Sequence, residues 1–101
     1  MSDIEAADVP WSHAVVMVCT KCSKKIVGSE ALADDMKKDL KGELKSLRGK
    51  AVRVVTASCL DVCPKNRMAL AIASRNQDTV ALVVDPKTKL STLVDEILRR
   101  I

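Results

Sequence analysis

The chain has 101 residues, of which 48% are hydrophobic and 30% charged, and a formal net charge of +4. This composition is typical of one folded domain and excludes a disordered chain, which would be less apolar. The apolar runs are too short to cross a bilayer, and the acidic N-terminal segment does not resemble a secretory signal. We therefore expect a folded cytoplasmic protein without a membrane partner.

The scarcity of aromatic residues restricts the possible partners. Trp11 is the single residue among Phe, Trp and Tyr, so the stacking platforms that bind single-stranded nucleic acids are missing. The positive charge permits a loose attraction to nucleic acid or to an acidic protein partner. Nucleic-acid binding is disfavoured.

The first predicted element is a strand over residues 13–18, an apolar run typical of a strand buried on both faces. Residues 19–27 follow as a predicted loop. Ser29 is a typical helix N-cap, and apolar residues then recur at three- and four-residue steps as far as Leu47. This pattern predicts an amphipathic helix that ends at Gly49.

The second half of the chain completes one sheet. Residues 51–56 form the second predicted strand, parallel to the first because a helix connects the two. Residues 68–73 and 79–84 flank a polar turn and predict a hairpin, and an apolar stripe over residues 90–101 predicts the last helix. The order βαβββα predicts a thioredoxin-like α/β domain over residues 13–101, with a single four-stranded mixed sheet and two helices. The preceding residues, 1–12, form a predicted flexible N-terminal segment.

The four cysteines form two close pairs, and each pair follows a predicted strand. Cys19 and Cys22 follow the first strand, and Cys59 and Cys63 follow the second. Because adjacent strands lie roughly 4.8 Å apart and parallel strands end at the same edge, we expect four thiolates to converge on one site. In a reducing compartment, such cysteines indicate metal binding or redox chemistry.

A site of four thiolates suits either Zn²⁺ or an iron-sulfur cluster. The C-x3-C spacing of the second pair favours zinc less than the cluster. A 2Fe-2S cluster with four thiolates carries a charge of roughly −2 when oxidised and one more negative charge when reduced. Nearby cations would stabilise the reduced form, and five lie within a few residues of the cysteines: Lys21, Lys24, Lys25, Lys65 and Arg67.

With these elements in place, the chain resembles the thioredoxin-like 2Fe-2S ferredoxins from about His13 to Ile101. The resemblance is carried by the strand that ends at Cys19, the helix behind it, and the segment Val-Val-Thr-Ala-Ser-Cys-Leu-Asp-Val-Cys that ends at Cys63. A related group of small predicted metal-binding proteins is similar at the close first pair. The resemblance implies an iron-sulfur protein of electron transport, often a homodimer, with a redox partner protein.

The chain departs from the ferredoxin pattern at three places. Its first two cysteines are closer together than in that family, and Asp61 stands where the family has glycine. Asn66 stands at the glycine of a Gly-Pro pair, and asparagine adopts the left-handed conformation more readily than most residues. By position, the resemblance implies these cluster ligands: Cys19, Cys22, Cys59 and Cys63.

Two other functions stay open. A CxxC pair after a strand is also the layout of a thiol-disulfide oxidoreductase, whose thiolate is stabilised by a helix N-terminus. The N-cap predicted at Ser29 lies seven residues after Cys22, which disfavours that enzyme, and Cys59 and Cys63 would have no role. The other alternative is an interaction or regulatory module that is metal-free or braced by Zn²⁺. The sequence favours an electron carrier or a binding module over an enzyme.

Overall fold

The computed structural model of the chain describes residues 4–60, 62, 64–75 and 77–101. These residues form a small α/β protein with one four-stranded mixed sheet. Its elements are β1 (Ala14–Cys19), α1 (Thr20–Val27), α2 (Ala31–Arg48), a 3-10 turn (Gly49–Ala51), β2 (Val52–Ala57), β3 (Met68–Ser74), β4 (Gln77–Val84) and α3 (Leu90–Arg100). Within the described ranges, no helix has the length and apolar character needed to span a membrane.

The strand order of the sheet is β2-β1-β3-β4. β1 and β2 are parallel, as predicted, whereas β1 with β3 and β3 with β4 are antiparallel. The register pairs Ala14 with Val52 at one end of β1 and Cys19 with Ala57 at the other. The first cysteine therefore lies at the end of a central strand, beside the last residue of β2.

The core lies between the sheet and the helices. On β4, alternate side chains pack against the core, and those between them are exposed. This alternation is typical of a sheet with one covered face. The largest fully buried side chains of α2, β3 and α3 are Leu40, Leu44, Met68, Leu70, Ile72 and Ile97. α2 and α3 therefore cover the same face of the sheet.

The predicted loop over residues 19–27 is wrong, and so is the count of two helices. Residues Thr20–Val27 form helix α1, which makes three α-helices in the described part of the chain. Gly28 ends this helix in the left-handed conformation, with φ 77, a conformation that glycine adopts without steric strain. The other strands and helices agree with the predicted ones to within two residues at each end.

The N-terminus of α2 is held differently from the prediction. Glu30 is the N-cap residue, although Ser29 Oγ accepts a hydrogen bond from the Ala31 N–H at 3.3 Å. The Ala33 N–H donates to Ser23 Oγ of α1 at 3.1 Å. Because helix N–H groups need acceptors at this end, α1 supplies part of the capping of α2.

Candidate thiolate site

Cys19 and Cys22 lie at the junction between β1 and α1. Cys19 is the last residue of the strand and the N-cap of the helix, with φ −76 and ψ 117. Cys22 follows in the first turn, and the exposed fractions of the two residues are 0% and 1%. A helix N-terminus that the sequence analysis did not predict is therefore present at the first cysteine pair, ahead of the one predicted near Ser29.

The surroundings of Cys19 favour its ionised form. Burial raises the pKa of the Cys19 thiol, but hydrogen bonds outweigh it and lower the pKa overall. The donors are the backbone N–H and the thiol of Cys22, followed by the backbone N–H groups of Leu60 and Lys21. Donors that point at a charged group stabilise its charged form. Since the thiolate is both the metal ligand and the nucleophile, Cys19 is suited to either chemistry.

The segment after β2 is attached to the start of α1. The Lys21 N–H donates to the Ser58 carbonyl oxygen at 3.2 Å, and the Thr20 hydroxyl donates to the same oxygen at 3.5 Å. These bonds attach Ser58, the first residue after β2, to the first turn of α1. They hold the second cysteine-bearing segment beside the first.

The second segment also contacts both sulfur atoms of the first pair. The Leu60 backbone N–H is one of the groups that lower the pKa of the Cys19 thiol. The Cys22 sulfur also lies 3.9 Å from the Val62 carbonyl oxygen, which is the alternative acceptor for its single S–H. Leu60 and Val62, which stand between the cysteines of the second pair in the sequence, therefore lie beside the first pair.

The second pair is less fully described than the first. Cys59 is exposed, and Asp61 and Cys63 lie outside the described residues. Among the residues that are described, no group of three His, Cys, Asp or Glu side chains lies close enough to hold a metal ion. The structure thus joins Cys19 to Cys22 but does not place Cys59 in a metal-binding group with them. The ligand role of all four cysteines stays a prediction.

The cations near the thiols lie on the surface. All five that the sequence indicates are exposed: Lys21, Lys24, Lys25, Lys65 and Arg67. Lys24 Nζ lies 3.5 Å from Glu30 Oε1, an exposed pair of little energetic weight. The buried thiols of the first pair are therefore accompanied by exposed cations that are close to the cysteines in the sequence.

Ser23 is a residue of the site that the sequence analysis missed. It is fully buried, donates to the Ser29 carbonyl oxygen at 2.7 Å and accepts from the Ala33 N–H at 3.1 Å. These bonds fix α1 against α2, and with it the neighbouring Cys22. The available signal was Gly28, which marks the end of a helix that begins at the cysteines. Leu60 and Val62 act through backbone atoms, for which the sequence carries no signal.

Asn66 bears out a sequence-based expectation, and His13 has a structural contact. Asn66 has φ 59, the left-handed conformation expected of it, in the segment that leads from the second cysteine pair into β3. His13 Nε2 lies 3.1 Å from the Ile101 main-chain oxygen, a contact that joins the start of β1 to the end of the chain. It lies at the opposite end of β1 from Cys19.

Comparison with known protein families, curated protein sequences and solved structures finds no match to this chain. The resemblance to ferredoxins therefore rests on the sequence motifs. What the protein does has to be argued from the geometry and chemistry of the thiol site.

Proposed function

We propose that the two cysteine pairs form one thiolate centre, that this centre holds a 2Fe-2S cluster, and that the protein is a small electron carrier. One observation carries the proposal: Leu60 and Val62, which stand between Cys59 and Cys63 in the sequence, lie beside the sulfur atoms of Cys19 and Cys22. Two cysteine-bearing segments that are distant in the chain thus lie against each other.

The donor set fits such a cluster. Cys19 and Cys22 are buried, which suits ligands shielded from water, and thiolate is the ligand that iron-sulfur clusters require. When bound, the cluster would take up and release one electron. The backbone N–H groups of Cys22 and Leu60 lower the pKa of Cys19. They would therefore stabilise negative charge on the Cys19 sulfur. Cys59 is exposed and would lie at the edge open to a partner.

The proposal also includes a thioredoxin-like fold, an acidic redox partner and a homodimer. The element order and the mixed sheet support a thioredoxin-like arrangement. The net charge of +4 supports an acidic redox partner protein. A homodimer is implied by the resemblance to ferredoxins.

Metal and sulfide analysis tests the proposal. We would purify the protein without oxygen, measure iron, acid-labile sulfide and zinc, and record visible absorption and the electron paramagnetic resonance spectrum after reduction. Equimolar iron and sulfide, with a signal that appears on reduction, is the expected result. Cys22→Ser, Cys59→Ser and Cys63→Ser should each lose iron and sulfide together.

Ser58→Ala is the matched control, because Ser58 contacts the site through its carbonyl oxygen and its side chain can be shortened without loss of those bonds. It should retain the cluster. If the analysis instead finds stoichiometric zinc without sulfide, the centre is a zinc site and not an iron-sulfur cluster. A protein without metal after anaerobic purification and after reconstitution with iron and sulfide would refute the proposal.

A second candidate is a thiol-disulfide oxidoreductase, favoured by the position of Cys19 at the N-cap of α1. In this reaction, the Cys19 thiolate attacks a substrate disulfide, forms a mixed disulfide and releases one substrate thiolate. The Cys22 thiolate then attacks the Cys19 sulfur, forms the Cys19–Cys22 disulfide and releases the second substrate thiolate. The substrate disulfide is reduced and the protein dithiol is oxidised. The burial of both thiols ranks this candidate second, because exchange requires access to sulfur.

Trapping of the mixed disulfide separates the two candidates. The reduced, metal-free Cys22→Ser protein would be mixed with a peptide disulfide and examined by mass spectrometry. An oxidoreductase should accumulate the adduct at Cys19, whereas Cys19→Ser should not. An adduct only at Cys59 or Cys63 would contradict this second candidate.

A further inference from the structure

A basic groove of about 360 Å³ lies between α2 and β2, away from the cysteines. Five cationic side chains line it: Lys37, Lys41, Lys45, Lys50 and Arg53. Trp11 also lines the groove, with its ring centre 5.9 Å from the Arg53 guanidinium carbon. We call this feature the β2 groove.

The β2 groove runs along a free strand edge. Four consecutive residues of β2, from Val52 to Val55, line it. Successive side chains of a strand point to opposite faces of the sheet. A groove lined by four consecutive residues therefore does not lie on one face but follows the backbone edge of the strand. The strand order places β1 on only one side of β2, so in the described part of the sheet the other edge is unpaired.

The register identifies which backbone groups face the groove. The His13 N–H donates to the Ala51 carbonyl oxygen at 3.0 Å, so that carbonyl points toward β1. Along an extended strand, the N–H and C=O groups of successive residues point alternately to the two edges. Val52 and Val54 therefore direct their backbone groups away from β1 and toward the groove.

The charge of the groove lacks a partner within the described residues. Lys37, Lys41 and Lys45 lie at four-residue steps, on adjoining turns of α2. The ion pairs found in the described ranges involve Lys24, Arg99 and Arg100, and none of the groove cations. No residue in the lining is acidic. A ligand that offers several carboxylates would complement this surface.

We propose that the β2 groove binds an extended acidic segment of a partner protein, which pairs with β2 as an added strand. Its backbone would bond with Val52 and Val54, and its carboxylates would face the lysines of α2. A polypeptide is favoured over a nucleic acid because the free edge offers backbone pairing, and Trp11 alone provides no stacking platform.

The groove and the thiol site lie on the same strand. Val54 and Ala57 are separated by about 10 Å along β2, since a strand rises roughly 3.3 Å per residue. Ala57 is the register partner of Cys19. An acidic segment on β2 would therefore bring its protein close to the thiols. This proposal stands apart from the cluster, because the groove contains no cysteine.

Fluorescence anisotropy tests the charge complementarity. The probe is a fluorescein-labelled decapeptide of alternating glutamate and threonine, titrated with the protein as purified. The double variant Lys41→Gln, Lys45→Gln should weaken binding about fivefold, as expected for two exposed charge pairs. The matched control is Lys87→Gln, Lys89→Gln, which removes the same charge beyond β4, at the other edge of the sheet. It should leave binding unchanged, and equal weakening by both variants would overturn the proposal.

Amide hydrogen exchange tests the strand addition. Saturation with the decapeptide should slow exchange at Val52 and Val54, and a peptide with proline in place of each threonine should bind weakly because it lacks alternate N–H donors. Equal binding of the proline peptide, unprotected Val52 and Val54 amides, or tighter binding of a ten-nucleotide single-stranded DNA would each overturn the proposal. Anisotropy and hydrogen exchange do not depend on the iron or sulfide content of the protein. They therefore test the groove independently of the proposed electron-carrier function.

Discussion

The first cysteine pair and the described part of the segment that carries the second are built in different ways. The first pair is on a strand-to-helix junction, buried, with both residues in regular elements. The second pair follows β2 on a segment whose described residues form no helix or strand, and Cys59 is exposed. The comparison indicates that the first pair is fixed by regular elements, whereas Cys59 lies at the surface on a segment held by individual contacts of Ser58, Leu60 and Val62. A segment of the second kind belongs to the less stable parts of a protein.

Alkylation rates should show the largest difference between the pairs. In the reduced, metal-free protein, iodoacetamide should modify Cys59 faster than Cys22, by on the order of a hundredfold, because Cys22 reacts only when the structure opens. Mass spectrometry of peptides gives both rates. In urea the two rates should converge. Comparable rates in the native protein would contradict the distinction between the pairs.

Ser23→Ala should destabilise the support of the first pair. The change removes a buried hydroxyl that makes two hydrogen bonds, to the Ser29 carbonyl oxygen and from the Ala33 N–H. We expect a loss of about 2 kcal/mol in the free energy of unfolding, since a buried N–H is left without its acceptor. Urea denaturation measures this loss. Ser29→Ala, which alters an exposed cap, is the control and should lose less.

Asn66→Ala tests the support of the second pair. Asn66 has φ 59, where a side chain other than asparagine is strained. We expect a loss of about 1 kcal/mol in the free energy of unfolding, and Asn66→Gly should restore or exceed the original stability. Urea denaturation of the three proteins gives the comparison. An alanine variant as stable as the glycine variant would show that this turn does not constrain the segment.

The depressed pKa of Cys19 predicts a pH dependence of stability. Between the native and the unfolded pKa of this thiol, the unfolded chain binds a proton that the native protein does not, so stability rises with pH. The contribution is complete above the unfolded value and is lost as the pH falls through the native value. The stability difference between the metal-free protein and Cys19→Ser should therefore grow from pH 6 to pH 9.5, as measured by urea denaturation. A constant or shrinking difference would contradict the assignment of a stabilised thiolate.

The sequence by itself determined most of the sheet and two of the helices. Strands β1 to β4 follow from apolar runs, and α2 and α3 follow from apolar stripes with helical spacing. The helical connection also determined that β1 and β2 are parallel. These features are local or depend on one rule of chain connection, so a pattern of residues is enough to predict them.

The tertiary structure alone decided how the thiol site is built. Helix α1 escaped prediction because it is short, and its inward side is made by the small residues Cys22 and Ser23, so it has no long apolar stripe. Its stability comes from contacts with α2 and with the segment after β2. The donors to Cys19 are backbone groups of residues close in space, and Leu60 is distant in sequence. Backbone hydrogen bonds of this kind are available to any residue type, so only the packed chain shows which sulfur they stabilise.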